Sequence, residues 1–153
     1  MAWIEDLTVC DSRYSLKAIG WLSKDKPFPV GEVPEDFFEK LCQLLVNPWS
    51  PPALPVTAGR HRCDLCQFSG GAENISYKQY QIQSWSSSSL YVPGLHRIYV
   101  SPASLAHYID AHCYQPPAEY VEAVMQCPKM RSLAYHKAVL ENGGRGLGRS
   151  SDE

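Results

Sequence analysis

Between Pro34 and Asn47 the apolar residues Phe37, Phe38, Leu41, Leu44 and Leu45 recur at helical intervals and form one continuous stripe. This pattern predicts a helix over 34–46. Pro34 suits its first turn, Glu35 and Asp36 complement the positive end of its dipole, and Asn47-Pro48 stops it. Such a stripe demands a partner surface. Upstream, the loose alternation over 14–22 predicts a strand, and Pro27, Phe28 and Pro29 impose an extended bend. Downstream, 74–85 and 90–100 are rich in Tyr, Ile and Val and predict two strands, joined into a hairpin by the polar loop 86–89.

Helices close the chain. Ser101-Pro102 predicts an N-cap and first position for a helix carrying Leu105, Tyr108 and Ile109 and ending before Pro116. A second opens at Pro116-Pro117 and places Tyr120, Val121, Val124 and Met125 on one side. A third spans 129–141 after Pro128, closed by Asn142-Gly143-Gly144. The prolines at 48, 51, 52 and 55 make a stiff strap rather than a domain boundary, because neither half carries a complete core. The expected architecture is one α+β domain over 1–142: a small antiparallel sheet covered by the 34–46 helix and flanked by the later helices. Residues 143–153, rich in Gly, Ser and charge, are expected to form a disordered tail.

At 153 residues the chain suits one compact domain, and its 44% hydrophobic and 20% charged content is that of a globular protein. A net charge of −2 gives no electrostatic reason to seek nucleic acid or an anionic membrane. The N-terminus carries Glu5 and Asp6 and no apolar signal core, and no apolar run reaches spanning length, so a soluble, cytoplasmic protein is expected. Without a secretory signal, the paired cysteines Cys63 and Cys66 read as a metal or redox motif rather than a staple. Cys42 and Cys127 fall inside amphipathic patterns and are expected to be small core residues.

The most specific chemistry is Cys63-x-x-Cys66 followed by His107 and His112 in a His-x4-His arrangement. Two thiolates on a tight turn and two imidazoles near a helix end are the ligand set of a structural zinc ion. The order of elements matches a two-cysteine, two-histidine finger whose spacer has grown into a β-hairpin. His107 and His112 lie about 140° apart on a regular helix, so either the last turn loosens or His112 sits at the helix end. A redox role suits the motif less well, because no helix N-terminus follows a buried strand here. His61 and Cys113 are alternative ligands. His96 and His136 are expected at the surface, and Trp3, Trp21, Trp49 and Trp85 in core and strap packing. A structural zinc site contributes on the order of 10–16 kcal/mol of apparent binding free energy, comparable with the whole stability of a domain this size, about 5–15 kcal/mol.

The chain resembles a family of small bacterial proteins known only as a domain of unknown function. The resemblance rests on Glu5-Asp6-Leu7-Thr8, Gly20-Trp21-Leu22 and Pro27-Phe28-Pro29-Val30-Gly31-Glu32-Val33-Pro34. It continues through Gly59-Arg60-His61-Arg62-Cys63-Asp64-Leu65-Cys66, Tyr99-Val100-Ser101-Pro102 and His107-Tyr108-Ile109-Asp110-Ala111-His112-Cys113-Tyr114-Gln115-Pro116-Pro117-Ala118-Glu119. The Ser-rich loop and the C-terminal helix and tail depart from it. The resemblance implies the same four zinc ligands and no activity.

Three functions compete. A non-enzymatic, zinc-stabilised module that binds another protein fits closed coordination and near-neutral charge, a bacterial inhibitor or immunity-type partner being one version. A nucleic-acid-binding finger is the alternative, but 102–113 contains no Arg or Lys, and Arg60, Arg62, Lys78 and Arg97 are few. A zinc-dependent hydrolase would need an open ligand position with Asp64, Glu73 or Asp110 as base, and the chain lacks His-Glu-x-x-His.

Overall fold

The computed structural model describes residues 3–11, 14–23, 25–49, 74–83 and 89–145. In chain order these form β1 (Val9–Asp11), β2 (Leu16–Ala18), α1 (Glu35–Leu45), β3 (Asn74–Tyr77), β4 (Tyr80–Gln83), β5 (Ser89–Pro93), β6 (Ile98–Pro102), α2 (Leu105–His112), α3 (Ala118–Gln126) and α4 (Leu133–Val139). A π-helical turn, Leu140–Gly144, extends α4. The α+β class is as expected. The main sheet, however, is mixed rather than antiparallel. Its strand order is β1-β2-β6-β5, with β2 parallel to β6 and the other neighbours antiparallel.

Each of the two expected central strands proves to be a hairpin. Residues 74–83 fold back on themselves as β3–β4 in a separate two-stranded sheet, with Lys78 at positive φ in the turn. Residues 89–102 do the same as β5–β6, turning over 94–97. Lys78 and His96 adopt left-handed conformations (φ 52° and 60°) without being glycine. The β3–β4 turn, Lys78-Gln79, therefore lacks the glycine or proline punctuation by which a hairpin is read from sequence, whereas the β5–β6 turn carries it in Pro93-Gly94. Ser101 and Pro102 belong to β6 and not to a helix start; the N-cap is Ser104. β6 can carry Pro102 because that residue lies at the strand end.

The α1 stripe behaves as its spacing requires. Phe37, Phe38, Leu41, Leu44 and Leu45 are all buried, and α1 packs on α2, α3 and β4. β5 and β6 are buried along their whole length, which explains their continuous apolar character, and α3 and α4 both rest on β5. In α3 the inward residues are Tyr120, Ala123 and Val124, while Met125 is exposed. α4 starts later than expected because Ser132 caps it, its side chain accepting from the Tyr135 N–H at 3.1 Å. Gly143 and Gly144 sit in the π turn, with Gly144 buried against Val139 and Ile98, so order reaches past residue 142. Residues 146–153 and most of the proline strap lie outside the described residues.

The tryptophans divide by role. Trp21 is core, and its indole N–H donates to the Val100 carbonyl at 3.0 Å. Trp49 packs edge-on against Tyr91, Tyr135 and His136, which draws His136 half into the interior rather than leaving it on the surface. Trp3 is exposed beneath the Lys26 ammonium, and Trp85 lies outside the described residues. Burial pushes the Cys42 thiol up to about 12, with the Asp110 and Glu39 charges adding to it, and the Cys127 thiol up to about 11. Both cysteines therefore act as neutral core residues.

Two substitutions test this packing by urea denaturation. Phe37→Ala should cost about 3–5 kcal/mol, the usual loss for a truncated core aromatic. Met125→Ala, although read from sequence as part of the apolar side of α3, should cost under about 1 kcal/mol. Equal losses at the two positions would contradict the packing described.

Candidate metal centre

The site is built on the end of α2. Leu105, Ala106, Tyr108 and Ile109 bury the helix against the rest of the core, which fixes its axis. His107 is 5% exposed and His112 half-buried. His112 is the last helical residue, the position that the five-residue step requires. Cys113 follows in the left-handed conformation (φ 56°, ψ 27°), and both its N–H and that of Tyr114 close back on the Tyr108 carbonyl. A non-glycine residue there costs about 1–2 kcal/mol, which the surrounding contacts must offset.

Those contacts come from Tyr114 and Asp6. Tyr114 is fully buried, and its hydroxyl donates to Asp6 Oδ2 at 2.7 Å. Asp6 Oδ1 in turn accepts the Gly20 N–H at 2.9 Å. Gly20 has φ +80°, and a Cβ there would stand 2.5 Å from Leu105 Cδ1, so only glycine admits both the turn and the close helix. Cross-chain bonds from Gly31 N–H to the Cys113 carbonyl and from Gln115 N–H to the Pro29 carbonyl, each 3.0 Å, strap 29–31 along 113–115. The α2 terminus is thus held from two directions.

This brings the two predicted histidine ligands together. Their ring centres lie 5.1 Å apart with planes at 76°. Two imidazoles sharing one tetrahedral ion, each nitrogen about 2.0–2.1 Å from it, have ring centres separated by about 5 Å. The spacing fits. Burial lowers the His107 pKa, the nearby His112 charge lowers it further, and Asp110 opposes both; burial alone lowers that of His112. Both shifts favour the neutral form that a metal binds.

Cys63 and Cys66, with His61, Asp64 and Glu73, lie outside the described residues. Among the described residues no group of three His, Cys, Asp or Glu side chains is placed to hold a metal ion. The described structure thus contributes two of the four proposed ligands. The alternative ligand Cys113 is exposed at the helix cap. Asp110, the described candidate base, is exposed on α2.

The clamp of Asp6, Gly20 and Tyr114 was not visible as a unit in the sequence. Asp6 and Tyr114 are 108 positions apart, and neither stands in a local pattern that names the other. Both fall within the stretches that carry the family resemblance, which was the available signal.

A family model matches residues 2–125, and the chain belongs to that family, a domain of unknown function designated DUF7919. No curated protein and no solved structure matches the chain. The match ends within α3, so α4 lies beyond it.

Two measurements examine the site. Asp6→Ala strands the buried Tyr114 hydroxyl and should cost about 1–3 kcal/mol, whereas a loss within experimental error would show that the clamp carries no stability. Cys113→Gly relieves the left-handed cap and should raise stability by up to about 1 kcal/mol while leaving bound zinc unchanged; loss of the metal would instead make Cys113 a ligand.

Proposed function

We propose that the protein is a non-enzymatic interaction module whose fold is cross-linked by one structural zinc ion, held by Cys63, Cys66, His107 and His112. The observation that carries this reading is the convergence of a buried and a half-buried imidazole, their ring centres 5.1 Å apart, at the capped end of α2. The paired thiols at 63 and 66 supply the two remaining ligands in the spacing structural zinc prefers. With four protein ligands, bound zinc serves as a cross-link and has no position free for substrate or water.

The electrostatics favour a protein partner over nucleic acid. Lys78 is ion-paired with Glu39 and lies 3.8 Å from Glu35, and Arg97 contacts Glu119 at 3.1 Å. The two described cations that the sequence singled out as possible phosphate contacts, Lys78 and Arg97, are thus each paired with a carboxylate. α2 itself offers Asp110 and no Arg or Lys. Phosphate contacts by such side chains are the main source of nucleic-acid affinity, and α2 carries none to make them. Among the described residues no helix is long and apolar enough to cross a membrane.

Elemental analysis of the purified chain should find one zinc per molecule, and Cys63→Ser, Cys66→Ser, His107→Asn and His112→Asn should each lower it. Chelation should reduce the melting temperature by about 10 °C or more, since several kcal/mol are withdrawn, with amide protection lost first over 105–112. Metal-free protein that melts unchanged would refute the cross-link. A salt-sensitive mobility shift with duplex or single-stranded DNA would overturn the choice of partner class.

A further inference from the structure

A second site lies away from α2. The β5–β6 turn, α3 and the α4 end enclose a cleft of about 390 Å³, within the range of about 300–1,000 Å³ typical of ligand pockets. Its floor includes Pro93, Ala123 and Ala138, and its polar wall includes Glu119, Glu122 and Gln126. It shares no lining residue with the histidine pair.

The hydrogen bonds of the wall leave acceptors over. Glu119 Oε2 receives the Tyr99 hydroxyl at 2.6 Å and the Arg97 guanidinium at 3.1 Å. Arg97 Nε is spent on the Leu95 carbonyl, and Asn142 Nδ2 on the Ala138 carbonyl. Gln126 Nε2 donates to Glu122 Oε1 at 3.3 Å. Among the described residues, Glu119 Oε1, Glu122 Oε2 and the Gln126 carbonyl receive no donor. With Arg97 offset by Glu119, the carboxylate of Glu122 remains and the wall carries net negative charge. Phosphates and acidic groups are disfavoured there; a cation is complementary.

The rim adds an apolar handle. Leu95 is 83% exposed, yet its turn is held in place: Gly94 N–H donates to the Arg97 carbonyl and His96 N–H to Asn142 Oδ1, both at 2.8 Å. An exposed leucine on a fixed turn is an anchor that loses little freedom when covered. A lone ammonium or guanidinium compound would fill the cleft and leave Leu95 in water, whereas a polypeptide segment covers both.

We propose that this cleft docks a protein partner through an arginine side chain inserted beside Glu122, with a neighbouring apolar residue of the partner covering Leu95. The inference rests on the interaction-module reading and specifies the partner's chemistry. Arginine suits the site because its fork spans several acceptors at once.

The test is an amide-shift titration of the full chain with an acetylated, amidated Leu-Arg-Leu tripeptide. Leu-Gln-Leu, Leu-Glu-Leu and arginine amide serve as controls. Saturable shifts should be confined to 93–99, 119–126 and 138–142. Glu122→Gln and Leu95→Ser should each weaken binding by about threefold to tenfold, and about 0.5 M salt should weaken it further. Unchanged spectra elsewhere and unchanged zinc content would show that these surface variants fold. Absence of saturable binding, equal binding of Leu-Gln-Leu, or equal binding of arginine amide would each overturn the proposal, the last by marking a small-molecule site. Stoichiometric zinc without peptide binding would remove the cleft inference and leave the module standing. Peptide binding by a zinc-free chain would keep the docking site and remove the zinc cross-link from the reading.

Discussion

The left-handed turn at Cys113 is the constraint on which the rest depends. It ends α2 directly after His112, whose ring centre lies 5.1 Å from that of His107, and it directs Tyr114 into the core, where its bond to Asp6 anchors the N-terminal segment. The cost of a left-handed cysteine is met by the bonds that fix its neighbours: Tyr114 to Asp6, and 29–31 laid along 113–115. The end of the helix that carries the histidine pair and the N-terminal segment are therefore joined at a single turn.

The interior is unusually dependent on tyrosine, and each phenol brings a polar tip that must find a partner when buried. Tyr114 uses Asp6, Tyr120 accepts from Ser101 at 3.1 Å, and Tyr135 donates to the Tyr91 carbonyl. Burial raises the pKa of all three above the ordinary phenol value, so they remain neutral donors and acceptors at physiological pH. These bonds tie α3 to β6, α4 to β5 and the α2 terminus to the N-terminal segment. Apolar contact alone would allow such elements to slide; paired hydroxyls set their register.

Charge is arranged differently. The cations of the two hairpin turns are paired with carboxylates of α1 and α3, which fastens the turns to the helices. What remains beyond these pairs is acidic and amide-rich around Glu122 and apolar at Leu95. A chain of net charge −2 thus carries a local field that favours basic partners over anionic ones. This is consistent with a module that recognises protein and not phosphate.

Sequence by itself determined the parts whose information is local. The α1 stripe, the helical stop at Asn47-Pro48 and the opening of α3 after Pro116-Pro117 follow from spacing and from proline chemistry over a few residues. Tertiary structure decided everything that rests on distant pairing. It made β2 parallel to β6, turned each expected strand into a hairpin, the first through a left-handed Lys78 that sequence does not flag, and gave Ser101-Pro102 to a strand instead of a cap. It also joined Asp6 to Tyr114. Such outcomes depend on which apolar faces meet and which buried polar groups find one another across the chain. A local window contains neither quantity, so they exist only once the chain has closed upon itself.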